Sequence, residues 1–200
     1  LFYFLFLLII FFVFLNFENN FSELFLSLTS SISNVGFSLN NSPNNLSFVF
    51  LILVIIGGSF FSTSSGIRFL KIYSLFKYSI NEILSYSRPK NIYINKHLFS
   101  KDSFKLDEIY KYFLSVIVFI ISLLILTFLL TLSGIDFESS FKLSILTIMN
   151  TVNSSMFGLG DFSFYDLHFM TKYYLIFFMI VGRLELLTLL IICKKFLFKN

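Results

Sequence analysis

From residue 113 to residue 132 the chain carries no charged side chain. As a helix rising ~1.5 Å per residue, that run covers roughly 30 Å, the hydrocarbon thickness of a bilayer. A second apolar run occupies residues 173–193, interrupted only by Gly182-Arg183-Leu184-Glu185. Two more, at 1–15 and 46–56, are too short to span alone. Only 13% of residues are charged and 56% are hydrophobic, against roughly a quarter charged in a soluble domain. These features predict an all-α polytopic membrane protein. The run at 1–15 opens without methionine, as expected of a piece of a longer protein, and it lacks the basic start and cleavage site of a signal peptide.

The net charge of +4 could point to nucleic acid, but its placement points to topology instead. Most of the fifteen basic residues lie between Arg68 and Lys111, and Lys194, Lys195 and Lys199 close the chain. Residues 16–45 hold none, and residues 134–170 hold only Lys142. Lysine and arginine gather on the cytoplasmic side of membrane proteins. The loop at 81–107 and the C-terminus are therefore assigned to the cytoplasm, and the two charge-poor segments to the outside. No nucleic-acid partner is expected, lipid is, and the lone Cys193 excludes an internal disulfide.

A shift of 120 residues lays Phe21 on Phe141 and Ile32-Ser33-Asn34-Val35-Gly36-Phe37 on Val152-Asn153-Ser154-Ser155-Met156-Phe157. Each copy follows an outward apolar helix and precedes an inward one. Each is led by a short stretch, 21–32 or 141–152, too short to span yet mostly apolar, which reads as a re-entrant half-helix. The chain thus divides into a repeat at 1–80, a basic cytoplasmic linker at 81–107 with Arg88-Pro89 as a helix stop, and a second repeat at 108–200. The architecture is a tandem of helix, pore half-helix, filter and helix, with a broken inner helix.

Polar extended backbone at membrane depth is tolerated where it lines a cavity or is buried in protein. Ser33-Asn34-Val35-Gly36-Phe37 is such a segment, and a row of carbonyls can replace the hydration shell of a monovalent cation. Its counterpart by the 120-residue shift is Asn153-Ser154-Ser155-Met156-Phe157. Below the first segment, Gly57, Gly58, Ser59, Ser62, Thr63 and Gly66 interrupt an inward helix that has crossed only about half the bilayer, a place for a gate. Small-residue helix packing is the competing reading there. Arg183 and Glu185 lie within the last apolar helix, two residues apart and so not facing each other, and charges there mark an ion path or a buried pair. Arg183 is assigned to the pore axis with the gate, and Glu185 to a structural charge. His97 and His168 have no ligand spacing around them and no nucleophile, base and acid stand together, so neither a resident metal nor an enzyme is expected.

Asn34-Val35-Gly36-Phe37, then Gly57-Gly58 through Thr63 to Gly66-Ile67-Arg68, then Gly182-Arg183-Leu184-Glu185 resemble the Trk/Ktr/HKT potassium-transporter subunits, most closely the bacterial TrkH type. The resemblance covers the whole chain in order and implies repeats three and four of four around one pore. It implies potassium bound by the carbonyls around Gly36 as the transported ligand, with no cofactor in this chain. The broken helix becomes an intramembrane gating loop, and Arg183 the constriction beneath the filter. It further implies a homodimer of pore subunits in the inner membrane, seated on a cytosolic nucleotide-binding regulatory ring.

The chain departs from the family where Met156 replaces a filter glycine and where Phe61, Ser64 and Ser65 stand in the gating loop. Met156 leaves two rival readings open. One is a non-conducting structural or regulatory membrane subunit; the other is a monovalent-cation pathway with relaxed potassium/sodium selectivity.

Overall fold

The computed structural model describes residues 21–38, 47–56, 69–86, 106–159, 162–165, 167–183 and 195. Among these the regular structure is helical. Its elements are α1 (Phe21–Ile32), α2 (Ser47–Ile56), α3 (Phe69–Tyr86), α4 (Leu106–Leu132), α5 (Phe137–Met149), a 3₁₀ turn (Ser155–Phe157) and α6 (Phe169–Arg183). The apolar run at 1–15, the gate residues Gly57, Gly58, Ser59, Ser62, Thr63 and Gly66, and Glu185 lie outside the described residues.

Helix α4 shows why the chain needs a bilayer. Phe119, Ser122, Leu123, Leu126, Thr127 and Leu130 recur at helical spacing and are buried. The opposite face, with Ile120, Ile121, Leu124, Ile125 and Phe128, is exposed and wholly apolar. In water that arrangement would leave a large sticky surface; in lipid it is the ordinary outer face of a bundle. The span Glu108–Leu132 is long and apolar enough to cross a membrane. Helix α6 repeats the pattern, with Leu175, Phe178 and Val181 buried and Ile176, Phe177 and Ile180 exposed.

Helix α5 is the opposite case. Every residue from Leu143 to Met149 is buried, and α2, α4 and α6 all pack against it. Since lipid is as apolar as leucine, close packing and satisfied polar groups hold such a helix, more than area removed from water. Its hydroxyls are folded back onto the helix: Ser144 Oγ donates to the Ser140 carbonyl at 2.7 Å and Thr147 Oγ1 to the Leu143 carbonyl at 2.6 Å. Helix α1 does the same with Ser31 and Thr29. Back-bonding of this kind lets serine-rich helices sit inside a protein without further partners.

The first half-helix falls on residues 21–32, where the sequence pattern places it. The second does not fall on 141–152. It begins at Phe137 and ends at Met149, four and three residues earlier. The turn at Ser133 and Gly134 ends α4 early enough for Asp136 to serve as the N-cap, and Asn150 closes the helix in the left-handed region at φ 54°. Helix α3 continues through Tyr86, past the boundary drawn at residue 80. After the first filter candidate come two helices, α2 ending at Ile56 and α3 beginning at Phe69.

Candidate functional site

The two half-helices end in the same way. Asn34 has φ 57° and Asn150 has φ 54°, both in the left-handed region that asparagine tolerates better than other side chains. The Asn34 amide N–H donates to the Ser31 carbonyl (3.3 Å) and the Val35 N–H to the Ser30 carbonyl (3.0 Å). The Asn150 N–H donates to the Thr147 carbonyl (3.1 Å) and the Thr151 N–H to the Leu146 carbonyl (2.9 Å). Residue for residue, these are one hydrogen-bond pattern displaced by 116 positions.

Each asparagine side chain also reaches the helix that follows its own stretch in the chain. With its amide nitrogen facing them, Asn34 donates to the Ser31 carbonyl at 3.1 Å and the Val54 carbonyl of α2 at 3.2 Å. Asn150 Nδ2 donates to the Met179 carbonyl of α6 at 3.0 Å. The sequence motif contains Asn34 but not Asn150. A shift of 116 would have found it, since it pairs Phe21 with Phe137, Phe25 with Phe141, Ile32 with Ile148 and Asn34 with Asn150.

Beyond the asparagines the chain leaves the helix without regular structure, and the two stretches meet. The Val152 N–H donates to the Val35 carbonyl at 3.2 Å, and the Ser38 and Ser155 hydroxyls lie 3.1 Å apart. Gly36 has φ 81°, and a Cβ there would stand 2.1 Å from the Val152 carbonyl oxygen. Glycine is required at this position for both reasons. The C-terminal ends of α1 and α5 converge on this junction, and neither has a basic residue in its last turn. Two helix C-termini bring partial negative charge to one place, which favours a cation.

The structure brings Ser33, Asn34, Val35, Gly36 and Phe37 to one side of the junction and Asn153 and Ser154 to the other. Ser155, Met156 and Phe157 form the 3₁₀ turn beyond it, with Met156 and Phe157 fully buried and packed toward α2. Gly158, at φ 71°, closes that turn and faces Lys142 and Ser47 instead of the junction. Lys142 in turn pairs with Glu138 at 2.5 Å. The hydrogen bond and charge of Lys142 hold the exposed Glu138 carboxyl below the usual carboxylate range.

Four buried side-chain oxygens have no hydrogen-bond partner among the described residues: Ser30 Oγ, Thr151 Oγ1, Asn153 Oδ1 and Ser154 Oγ. All four belong to the junction or to the helix end that leads into it. An unmade hydrogen bond at a buried hydroxyl costs about 1–3 kcal/mol, so four acceptor-capable oxygens left together call for a ligand or a reason. A cavity of about 190 Å³ lies between α5, residues 151–153, Phe164 and Met179, and of these four residues only Thr151 and Asn153 line it. No cluster of metal-ligating His, Cys, Asp or Glu side chains occurs among the described residues.

Arg183 ends α6 and is exposed. One residue earlier, Gly182 lies against α5, where a Cβ would stand 2.1 Å from the Ile148 carbonyl. Arg183 therefore follows directly on the contact of α6 with the last turn of α5.

A family model described as TrkH, cation transport protein, matches residues 20–198. Among solved structures, the crystal structure of the potassium transporter TrkH from Vibrio parahaemolyticus matches with a TM-score of 0.73 at 22% identity. The match covers 93% of this chain and 41% of that one, so the chain spans less than half the length of that relative. No curated protein matches the chain.

Proposed function

The chain belongs to the TrkH family of cation transport proteins, and we propose that it supplies two quadrants of a gated potassium pathway across the inner membrane. The observation that carries this reading is the junction itself. Two re-entrant helices deliver their C-terminal ends, and then extended oxygen-rich backbone, to one point. Ions shed water against main-chain carbonyls around Gly36 and its partner stretch, and no side chain performs covalent chemistry. The Vibrio relative is named a potassium transporter, which supports potassium as the cargo.

In this reading the inward helix opens at Gly57, Gly58, Ser59, Ser62, Thr63 and Gly66 as a gating loop. Arg183 stands under the filter as an electrostatic constriction, and Glu185 pairs with neighbouring backbone. Val35, Phe37 and Val152 are exposed and apolar, a surface that two further quadrants would cover. The homodimer and the cytosolic nucleotide-binding ring belong to the same proposal, with the loop at 81–107 and the C-terminus on the cytoplasmic side.

The test is rubidium uptake by the complete gene product in a bacterial strain lacking potassium uptake, with sodium as competitor and the cytosolic partner supplied. Saturable uptake resistant to sodium is the expected result. Absence of uptake, with the protein present in the membrane, would favour a non-conducting subunit.

A further inference from the structure

Helix α3 is amphipathic with its apolar side turned outward. Phe76, Ile80 and Ile83 recur at helical spacing on one side. That side is exposed, Phe76 by 67% and Ile83 by 68%. Ser74, Tyr78 and Asn81 share the opposite side, where Ser74 is only 2% exposed and Tyr78 comes within electrostatic reach of Tyr110 of α4. A helix in water turns its apolar stripe inward. A helix in the acyl layer is apolar all round, yet α3 carries Lys71, Lys77 and Glu82. Among the described residues only Glu108–Leu132 is long and apolar enough to cross a membrane. An exposed apolar stripe on an otherwise polar helix is the pattern of a helix at the boundary between acyl chains and headgroups.

The level of the helix agrees. Tyr110 stands two residues into the apolar span of α4, so Tyr78 lies near one end of that span. From Tyr78 to the end of α3 at Tyr86 the helix rises roughly 12 Å. With the loop at 81–107 on the cytoplasmic side, as in the reading above, this last part of α3 runs through the headgroup layer. That layer adds roughly 5–8 Å to each side of the hydrocarbon, and Ile80 and Ile83 fall within it. Tyr110, Phe113 and Leu114, at the same end of α4, are exposed as well, so lipid lies against the neighbouring helix at this level.

We propose that the exposed side of α3 is a docking surface for anionic phospholipid of the cytoplasmic leaflet. The apolar stripe dips among the acyl chains, and the basic residues around it draw negatively charged headgroups. From Arg68 to Lys111 the chain has nine basic and four acidic residues. That excess favours anionic lipid over neutral lipid, and the exposed apolar end of α4 beside it favours lipid over a protein partner. The proposal rests on the orientation given above and on no property of the ion path.

Phe76→Trp and Ile83→Trp place a reporter on α3, and Phe128→Trp, exposed near the other end of α4, is the reference. Each is made singly in the complete gene product. The proteins are reconstituted in vesicles of phosphatidylcholine and phosphatidylglycerol in which one of the two lipids carries bromine near the headgroup end of its acyl chains. The tryptophan emission added over wild type is read. Brominated phosphatidylglycerol is expected to quench both α3 reporters more than brominated phosphatidylcholine does, to the extent of about fivefold enrichment of the anionic lipid, the worth of one basic side chain near the surface. Phe128→Trp is expected to be quenched equally by both. Equal quenching at the α3 sites overturns the preference for anionic lipid. No quenching there, with Phe128→Trp quenched, shows that a second copy or a cytosolic protein covers the face and overturns the proposal. A preference for phosphatidylglycerol at Phe128→Trp instead overturns the orientation and the proposal with it. Quenching does not depend on transport, so a protein that takes up no rubidium overturns the proposed function alone.

Discussion

The side-chain amide of Asn150 donates to the main-chain carbonyl of Met179 at 3.0 Å, tying the end of α5 to helix α6. Asn34 makes the equivalent tie to Val54 of α2. Each asparagine does two things at once. Its left-handed backbone stops a buried helix, and its side chain fixes where the extended stretch leaves it. Asn150→Gly separates these roles, because glycine keeps the backbone conformation and loses the amide. We expect a loss of about 1 kcal/mol in the stability of the detergent-solubilised protein, read as a lower melting temperature. Asn150→Ala should lose more, because it adds the strain of a left-handed alanine. Equal losses would show that the backbone conformation contributes nothing.

Gly36 is held by two constraints, its φ of 81° and the Val152 carbonyl where a Cβ would be. Gly36→Ser is therefore expected to force the two stretches apart. Potassium/sodium discrimination in uptake should fall while the protein still reaches the membrane. Unchanged discrimination would remove Gly36 from the ion path.

Gly182 plays a packing role of the same kind on α6. A Cβ there meets the Ile148 carbonyl, which is backbone and cannot swing aside. Gly182→Ala should destabilise by about 1–3 kcal/mol, the usual range for overpacking, and Gly182→Leu should prevent accumulation in the membrane. A wild-type melting temperature for Gly182→Ala would show that α6 shifts freely against α5.

These positions separate what local pattern reveals from what packing decides. The short apolar stretch at 21–32, its polar extension and the charge-poor outer segments identify the first half-helix, which the structure places at the same residues. The long uncharged run identifies α4. The second half-helix is displaced from its expected position because Ser33-Asn34-Val35-Gly36-Phe37 is a strong local pattern, and its best match in composition begins at Asn153. What sets the end of α5 is a single left-handed asparagine and its bond to Met179. Those depend on tertiary packing that no local pattern reports. The serines of α1 and α5 look polar in the sequence; in the structure Ser31 and Ser144 bond their own helix, Ser140 donates to the Ile135 carbonyl just before it, and Ser30 Oγ has no partner among the described residues. Gly182 stands out as part of a motif, but its contact with Ile148 emerges only in the fold.

The Glu138–Lys142 pair gives a pH prediction at the N-terminal end of α5. Lys142 lowers the Glu138 pKa in the folded protein, so the pair's contribution is present above the unfolded carboxylate range and is lost as pH falls through the lowered value. Because Glu138 is exposed, the effect is small. The melting temperature of wild type relative to Lys142→Met should decline as pH is taken from about 7 to about 3. A difference that stays constant across that range would show that the ion pair contributes nothing.

Arg183→Ala tests the constriction. Removing a positive charge beneath the filter should raise rubidium flux several-fold, since repulsion of a cation at close range in a low-dielectric path amounts to about 1 kcal/mol or more. Flux equal to wild type would place Arg183 off the pathway.

Occupancy of the junction between the two repeats by a cation is open to direct observation, through anomalous scattering from rubidium in crystals of the complete transporter. The expected density is bounded by Val35, Gly36 and Phe37 on one side and by the stretch that follows α5 on the other. No ordered rubidium near Gly36 would refute a cation site there.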